Sequence, residues 1–148
     1  MVYSEIMRAE DNYKIVLFDG ECILCNKAVQ FIIKKDTKEI FKFASLQSTY
    51  GIELLRKIGG DRTDWNSLVL IEGSQYYLQS EAVLKILKEI RGFTIVVHLL
   101  RLFPQNILDN LYMITAKIRY KLFGRTDSCT IYQKSEFSNR IADWSENK

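Results

Sequence analysis

Two cysteines three positions apart, Cys22 and Cys25, are the residues of this chain best placed to do chemistry. They lie in Ile15-Val16-Leu17-Phe18-Asp19-Gly20-Glu21-Cys22-Ile23-Leu24-Cys25: an apolar run, an Asp-Gly turn, then a Cys-x-x-Cys that opens a helical pattern. Residues three apart on a helix share a face, with Cβ atoms about 5–6 Å apart. A small adjustment brings them to disulfide distance, about 3.5–4.5 Å between Cβ atoms. The first turn of a helix also holds N–H groups without intrahelical partners and the positive end of the dipole. Both would stabilise a thiolate on Cys22, and Cys25, one turn further in, is expected to be the more shielded sulfur. The chemistry this spacing allows is thiol–disulfide exchange. A Cys22 thiolate would attack a disulfide sulfur as nucleophile, and Cys25 would then displace the client as the resolving thiol.

Asp19 has two readings. A carboxylate three residues before Cys22 could relay a proton to or from Cys25. Asp-Gly is also good turn chemistry, in which Asp19 simply accepts backbone N–H groups and holds the loop. His98, the single histidine, lies in an apolar run and is expected to be packed rather than catalytic.

The elements that must position the pair follow from periodicity. Lys14 to Phe18 reads as a strand ended by Asp-Gly, and Val29, Ile32 and Ile33 continue a helical stripe after the cysteines. A second strand is expected over Ile40 to Ala44. Ser48 should cap a second helix that runs through Ile58 and stops at Gly59-Gly60. Ser67 to Ile71 and Gln75 to Leu78 form two strands joined by a hairpin at Glu72-Gly73-Ser74. Ser80 should cap a third helix carrying Val83, Leu84, Leu87 and Ile90, with Gly92 at its end. The order β-α-β-α-β-β-α predicts an α/β, thioredoxin-like three-layer domain over residues 13–92. Its cysteine pair would sit beyond the carboxyl end of the first strand, where open α/β sheets hold their ligands. Residues 93–148 read as a helical C-terminal extension packed on that domain. Phe93 to Phe103 is apolar but too short to span a bilayer, which needs roughly 20 residues. After Pro104 a helix is expected to Phe123, with Leu108, Leu111, Thr115, Ile118 and Leu122 inward and Gly124 at its end.

Bulk composition narrows the function. The 148 residues, 47% hydrophobic and 26% charged, suit one domain with a real core. A net charge of +3 does not argue for nucleic acid. Three cysteines, an odd number, exclude a closed disulfide framework that uses them all. The first twelve residues carry Glu5, Glu10 and Asp11 and no apolar run, so no secretory leader is expected there. A reducing, cytoplasmic location is the simplest expectation, and in it such a pair is catalytic or metal-binding rather than structural.

The segment Asp19-Gly20-Glu21-Cys22-Ile23-Leu24-Cys25 resembles the signature of the DCC family of predicted thiol-disulfide oxidoreductases. Phe43-Ala44-Ser45-Leu46-Gln47-Ser48, Trp65-Asn66-Ser67-Leu68-Val69-Leu70, and Arg119-Tyr120-Lys121-Leu122-Phe123-Gly124-Arg125 through Cys129 resemble that family's later blocks. The resemblance therefore spans roughly residues 14 to 129. It implies a thioredoxin-like domain, dithiol–disulfide exchange, and Asp19, Cys22 and Cys25 as signature residues. Thioredoxins proper carry a proline where Asn66 or Ser67 stands here, and Ile23-Leu24 replaces the Gly-Pro common between their cysteines, so client binding should differ. Gly20, Glu21, Ile23 and Leu24 around the cysteines, with Ser67, Arg119 and Arg125, are the expected substrate contacts. Cys129 is either an idle exposed thiol or, from the block that contains it, a third redox partner. The expected clients are protein or small-molecule disulfides, with electrons from a cellular thiol reductant. No organic cofactor, metal, nucleic acid or transmembrane segment is expected.

Two other classes compete. Cys22, Cys25, Cys129 and His98 are in number and type one zinc set, although they form no second paired-ligand knuckle. A redox-inactive thioredoxin-like domain could instead present the basic, aromatic segment Tyr112 to Arg125 to an anionic partner.

Overall fold

The computed structural model describes residues 13–59, 68–73, 75–126 and 140. Strand β1 (Lys14–Phe18) leads into helix α1 (Ile23–Lys35), strand β2 (Phe41–Ser45) and helix α2 (Thr49–Gly59). Strands β3 (Val69–Glu72) and β4 (Gln75–Leu78) follow, then helices α3 (Gln79–Glu89), α4 (Thr94–Leu100) and α5 (Gln105–Phe123). The sheet order is β2-β1-β3-β4. β1 is parallel to β2 with Lys14 opposite Phe41, and antiparallel to β3 with Val16 opposite Leu70. This is the expected α/β, thioredoxin-like build. Strand bounds move by one or two residues from the sequence reading, and Ser67 lies outside the described residues.

Alternation along β1 divides the core. Val16 and Phe18 face one side, where Phe41, Phe43 and Leu70 meet Val29 and Ile32 of α1 and Ala82 and Ile86 of α3. Ile15 and Leu17 face the other, against Ala44, Val69 and Ile71 and against Tyr50, Leu54 and Leu55 of α2. Helices therefore cover both faces. Fully burying one side chain such as Phe18, Phe41 or Phe43 contributes about 1.5–3 kcal/mol. Gly51 is required where α2 meets β2, since a Cβ there would stand 2.1 Å from the Ser45 carbonyl oxygen. Ser48 caps α2 as expected, its Oγ accepting the Gly51 N–H at 3.0 Å. Gly73 begins the β3–β4 hairpin with φ 59°.

Three expectations for the helices fail. Ser80 lies inside α3, and its side chain does not cap that helix. The Ser80 hydroxyl instead donates to Asp109 of α5 and accepts from Gln105 Nε2, so a bond between helices replaces the local one. The stripe Leu111, Ile118 and Leu122 faces outward, with Leu122 68% exposed. The inward face of α5 is instead Leu108, Tyr112, Ala116 and Arg119, and it packs against α1 and α3. Burial of Arg119 with an acidic partner outweighed the apolar pattern of that helix. His98 is likewise exposed on α4, not packed.

A second buried cation fixes the far end of the sheet. Asp36 follows α1 and accepts the N–H groups of Ile40 at 3.2 Å and Phe41 at 2.9 Å. Arg140 pairs with the same carboxylate and donates through Nε to the Phe41 carbonyl at 3.2 Å.

Candidate active site

The loop after β1 places the cysteines. Asp19 is 4% exposed and receives four donors. Its Oδ1 accepts the Glu21 N–H at 3.0 Å and Gln47 Nε2 at 2.8 Å, and its Oδ2 accepts Arg119 at 3.1 Å and the Tyr120 hydroxyl. Gln47 Oε1 in turn accepts the Gly20 N–H at 3.0 Å. From inside the helix, Asn26 Nδ2 donates to the carbonyls of Gly20 and Cys22, each at 2.9 Å. The turn is thus held by its own Asp19 and by side chains from the β2–α2 connection, from α1 and from α5.

Cys22 is the N-cap of α1, and its Sγ accepts the Cys25 N–H at 3.2 Å. A thiolate at that position meets the unpaired amide and the positive end of the helix, as the sequence predicts. The exposure of the two sulfurs is the reverse of expectation. Cys22 is wholly buried and Cys25 is partly exposed. The cause is a strap after α5. Gly124 ends that helix with φ 83°, Arg125 forms an antiparallel bridge with Cys22, and the Thr126 N–H donates to the Glu21 carbonyl at 2.8 Å. Ile23 packs under Gly124, and Arg125 pairs with Glu21 at 3.0 Å.

Electrostatics separates the sulfurs further. Burial pushes the Cys25 thiol up to about 12, and its hydrogen bond to Cys22 and the charge there add to the rise. Arg119, 3.6 Å from Cys25 Sγ, opposes that shift without cancelling it. Tyr120 is also raised to about 12, by burial and by its hydrogen bond to Asp19. The guanidinium carbons of Arg119 and Arg125 lie 4.9 and 4.6 Å from the centre of its ring.

The structure thus brings together Asp19, Gly20, Glu21, Cys22, Ile23, Cys25, Arg119 and Arg125, with Leu24 in the wall of an adjoining cavity. Ser67 and Cys129 lie outside the described residues. Asp19 serves the loop as the turn reading expects, and it also reaches Arg119, which stands next to Cys25. Sequence reasoning missed Asn26, Gln47 and Tyr120 as parts of the site. Asn26 faces inward from the helical turn that follows Cys22, and a polar residue on that buried face was the available signal. Among the described residues, no three His, Cys, Asp or Glu side chains gather into a metal site, and exposed His98 does not join the cysteines.

A thioredoxin-like sheet with a Cys-x-x-Cys opening the helix after its first strand defines the class of thiol–disulfide redox proteins. The chain matches the DCC1-like thiol-disulfide oxidoreductase family over residues 16–125, from β1 to the strap, and belongs to that family. It is 42% identical over 118 residues to the uncharacterized protein YuxK of Bacillus subtilis, covering 80% of this chain and 86% of that one. It is 42% identical over 123 residues to a DCC family protein of Arabidopsis thaliana described as chloroplastic, covering 82% of this chain and 72% of that one. No solved structure matches the chain. Family membership supports a general thiol–disulfide redox function. With a chloroplastic relative in the family, membership does not carry the cytoplasmic expectation with it. Among the described residues no helix is long and apolar enough to cross a membrane.

Proposed function

We propose that this protein exchanges dithiol and disulfide through Cys22 and Cys25, with Cys25 as the sulfur that bonds to the client. The observation that carries this reading is the difference in burial between the two: Cys22 is wholly buried beneath the strap, while Cys25 is partly exposed. The roles are therefore the reverse of those read from spacing alone. In the oxidised protein a client thiolate attacks Cys25 Sγ and forms a mixed disulfide there. Cys22 leaves as a thiolate, received at the start of α1 by the Cys25 N–H. A second client thiol then displaces Cys25, which takes up a proton; the client is oxidised to a disulfide and the pair reduced to a dithiol. The reverse direction reduces a client disulfide, with Cys22 as the resolving thiolate and a cellular thiol restoring the pair. Asp19 is a positioning residue in this scheme, since it fixes Arg119 beside Cys25. The pair carries both electrons itself, so the reaction needs no organic cofactor.

The test uses Cys22→Ser and Cys25→Ser, each in a Cys129→Ser background, mixed with a small disulfide and read by intact mass and peptide mapping. Cys22→Ser should hold a stable adduct on Cys25, and Cys25→Ser should react far more slowly. A faster and stable adduct on Cys22 would overturn the assignment and require the Gly124–Thr126 strap to swing away before reaction. Alkylation across a glutathione series then reads the potential and with it the direction of flux. Three thiols that never pair would sink exchange altogether.

A further inference from the structure

Beside Cys25 lies a half-open cavity of about 250 Å³ between α1, α3 and α5. Its walls are almost all carbon, including Phe18, Leu24, Val29, Ile32, Ile86 and Leu87. The polar side chains that reach it are already engaged. Tyr112 Oη accepts the Leu68 N–H at 2.8 Å, Thr115 Oγ1 donates to the Leu111 carbonyl at 2.9 Å, and Arg119 pairs with Asp19. Phe31 and Thr115, both exposed, mark where the cavity reaches the surface. Cys25 contributes to the wall, whereas Cys22 does not.

We infer that this cavity binds the substrate, and that the substrate is a compact apolar thiol or disulfide of low molecular weight. Three features select that class. The volume, just under the roughly 300–1,000 Å³ of ordinary ligand pockets, suits a compact molecule better than a peptide. Apolar walls stabilise a carbon skeleton taken from water, as enclosed apolar cavities do for small hydrocarbons. A peptide thiol such as glutathione would have to strip its charges and amides of water and find no free partner in return. The inference rests on the exchange reading for its chemistry and on the cavity alone for its choice of ligand.

For a disulfide R–S–S–R the electrons balance as follows. Cys25 gives its proton to solvent and attacks the near sulfur; the R–S–S–R bond breaks, a Cys25–S–R bond forms and one RS⁻ leaves. That RS⁻ takes the proton from Cys22, whose thiolate attacks Cys25 Sγ and releases the second RS⁻, protonated from solvent. One disulfide is reduced to two thiols while the protein dithiol is oxidised to the Cys22–Cys25 disulfide.

The experiment compares di-n-propyl disulfide with 2-hydroxyethyl disulfide, its near-isostere with a hydroxyl in place of each terminal methyl. Exchange with 2-mercaptoethanol gives their intrinsic rate ratio. The reduced protein should prefer the propyl compound over that ratio by about 10²-fold in kcat/KM, the discrimination an apolar pocket exerts against an added hydroxyl. Ala116→Phe, which adds bulk at the cavity wall, should bring the ratio back toward the free-thiol value. Redox-inert di-n-propyl sulfide should shift the methyl resonances of Val29 and Ile86 in the wild-type protein. A wild-type rate ratio equal to that of the free thiol overturns the inference and leaves exchange standing. If neither disulfide reacts, exchange fails and the sulfide titration decides the cavity: shifts support it, and their absence overturns it.

Discussion

Replacing Arg119 by Met removes the cation that joins the turn of β1–α1 to α5. The Arg119 and Asp19 side chains are 6% and 4% exposed, so their ion pair is buried. Removing one partner of a buried pair leaves an uncompensated charge and costs about 3–5 kcal/mol. That is a large share of the roughly 5–15 kcal/mol that holds a domain folded. At about 2–4 °C per kcal/mol for a chain near this length, the Tm should fall by about 6–20 °C. Urea unfolding of the reduced protein measures the loss directly, with an unchanged slope showing that the unfolded state is the same. Asp19→Asn supplies the control, because without the carboxylate the missing cation matters less. The double variant should be more stable than the sum of the single losses predicts, by about 0.5–3 kcal/mol. The same substitution reads out at the site. Arg119 lowers the Cys25 thiol against the burial and Cys22 effects that raise it, so its loss should raise that thiol further and slow alkylation of Cys25 at pH 9. Additive single effects, or an Arg119→Met cost below about 1 kcal/mol, would refute the claim that this pair anchors the site.

Two further outcomes follow from the strap and its tyrosine. The Tyr120 phenol is raised to about 12 in the folded protein from an ordinary value of 10.0, so folding favours its protonated form. Its contribution to stability should be fully present below pH 10 and be lost as pH rises toward 12. The urea-measured gap between the wild type and Tyr120→Phe should therefore be flat from pH 7 to 9 and narrow by pH 11, and a gap that widens would contradict the sign. Gly124 holds φ 83° and ψ −179°, a region open almost only to glycine. Gly124→Ala should cost about 1–3 kcal/mol and loosen the strap, so that Cys22 becomes alkylated faster than in the wild type. An unchanged Cys22 rate would show that the strap does not limit access.

The local order of this fold was legible because each signal in it is local. The apolar run from Lys14 to Phe18, the Asp-Gly turn, the cysteine pair at a helix start and the Gly92 and Gly124 stops act through neighbouring residues. The role of Asp19 as a turn former was readable in the same way. The failures share one cause. Ser80 has the chemistry of a cap, but Asp109 and Gln105 lie within its reach only once α5 has packed on α3. Leu111, Ile118 and Leu122 form a sound helical stripe, yet the face that turned inward carries Tyr112 and Arg119. Asp19 and Arg119 stand 100 positions apart, and no periodicity carries that contact.

By itself, the sequence determined the α/β order, the place of Cys22 and Cys25 at the opening of α1, and therefore thiol–disulfide chemistry as the reading. Tertiary structure alone decided which sulfur meets the outside. Exposure depends on what the rest of the chain lays over a site. Here the turn after α5 bridges Cys22 through Arg125 and leaves Cys25 open to an apolar cavity. A helix start can stabilise charge on its first cysteine, but only packing decides whether a client can reach it.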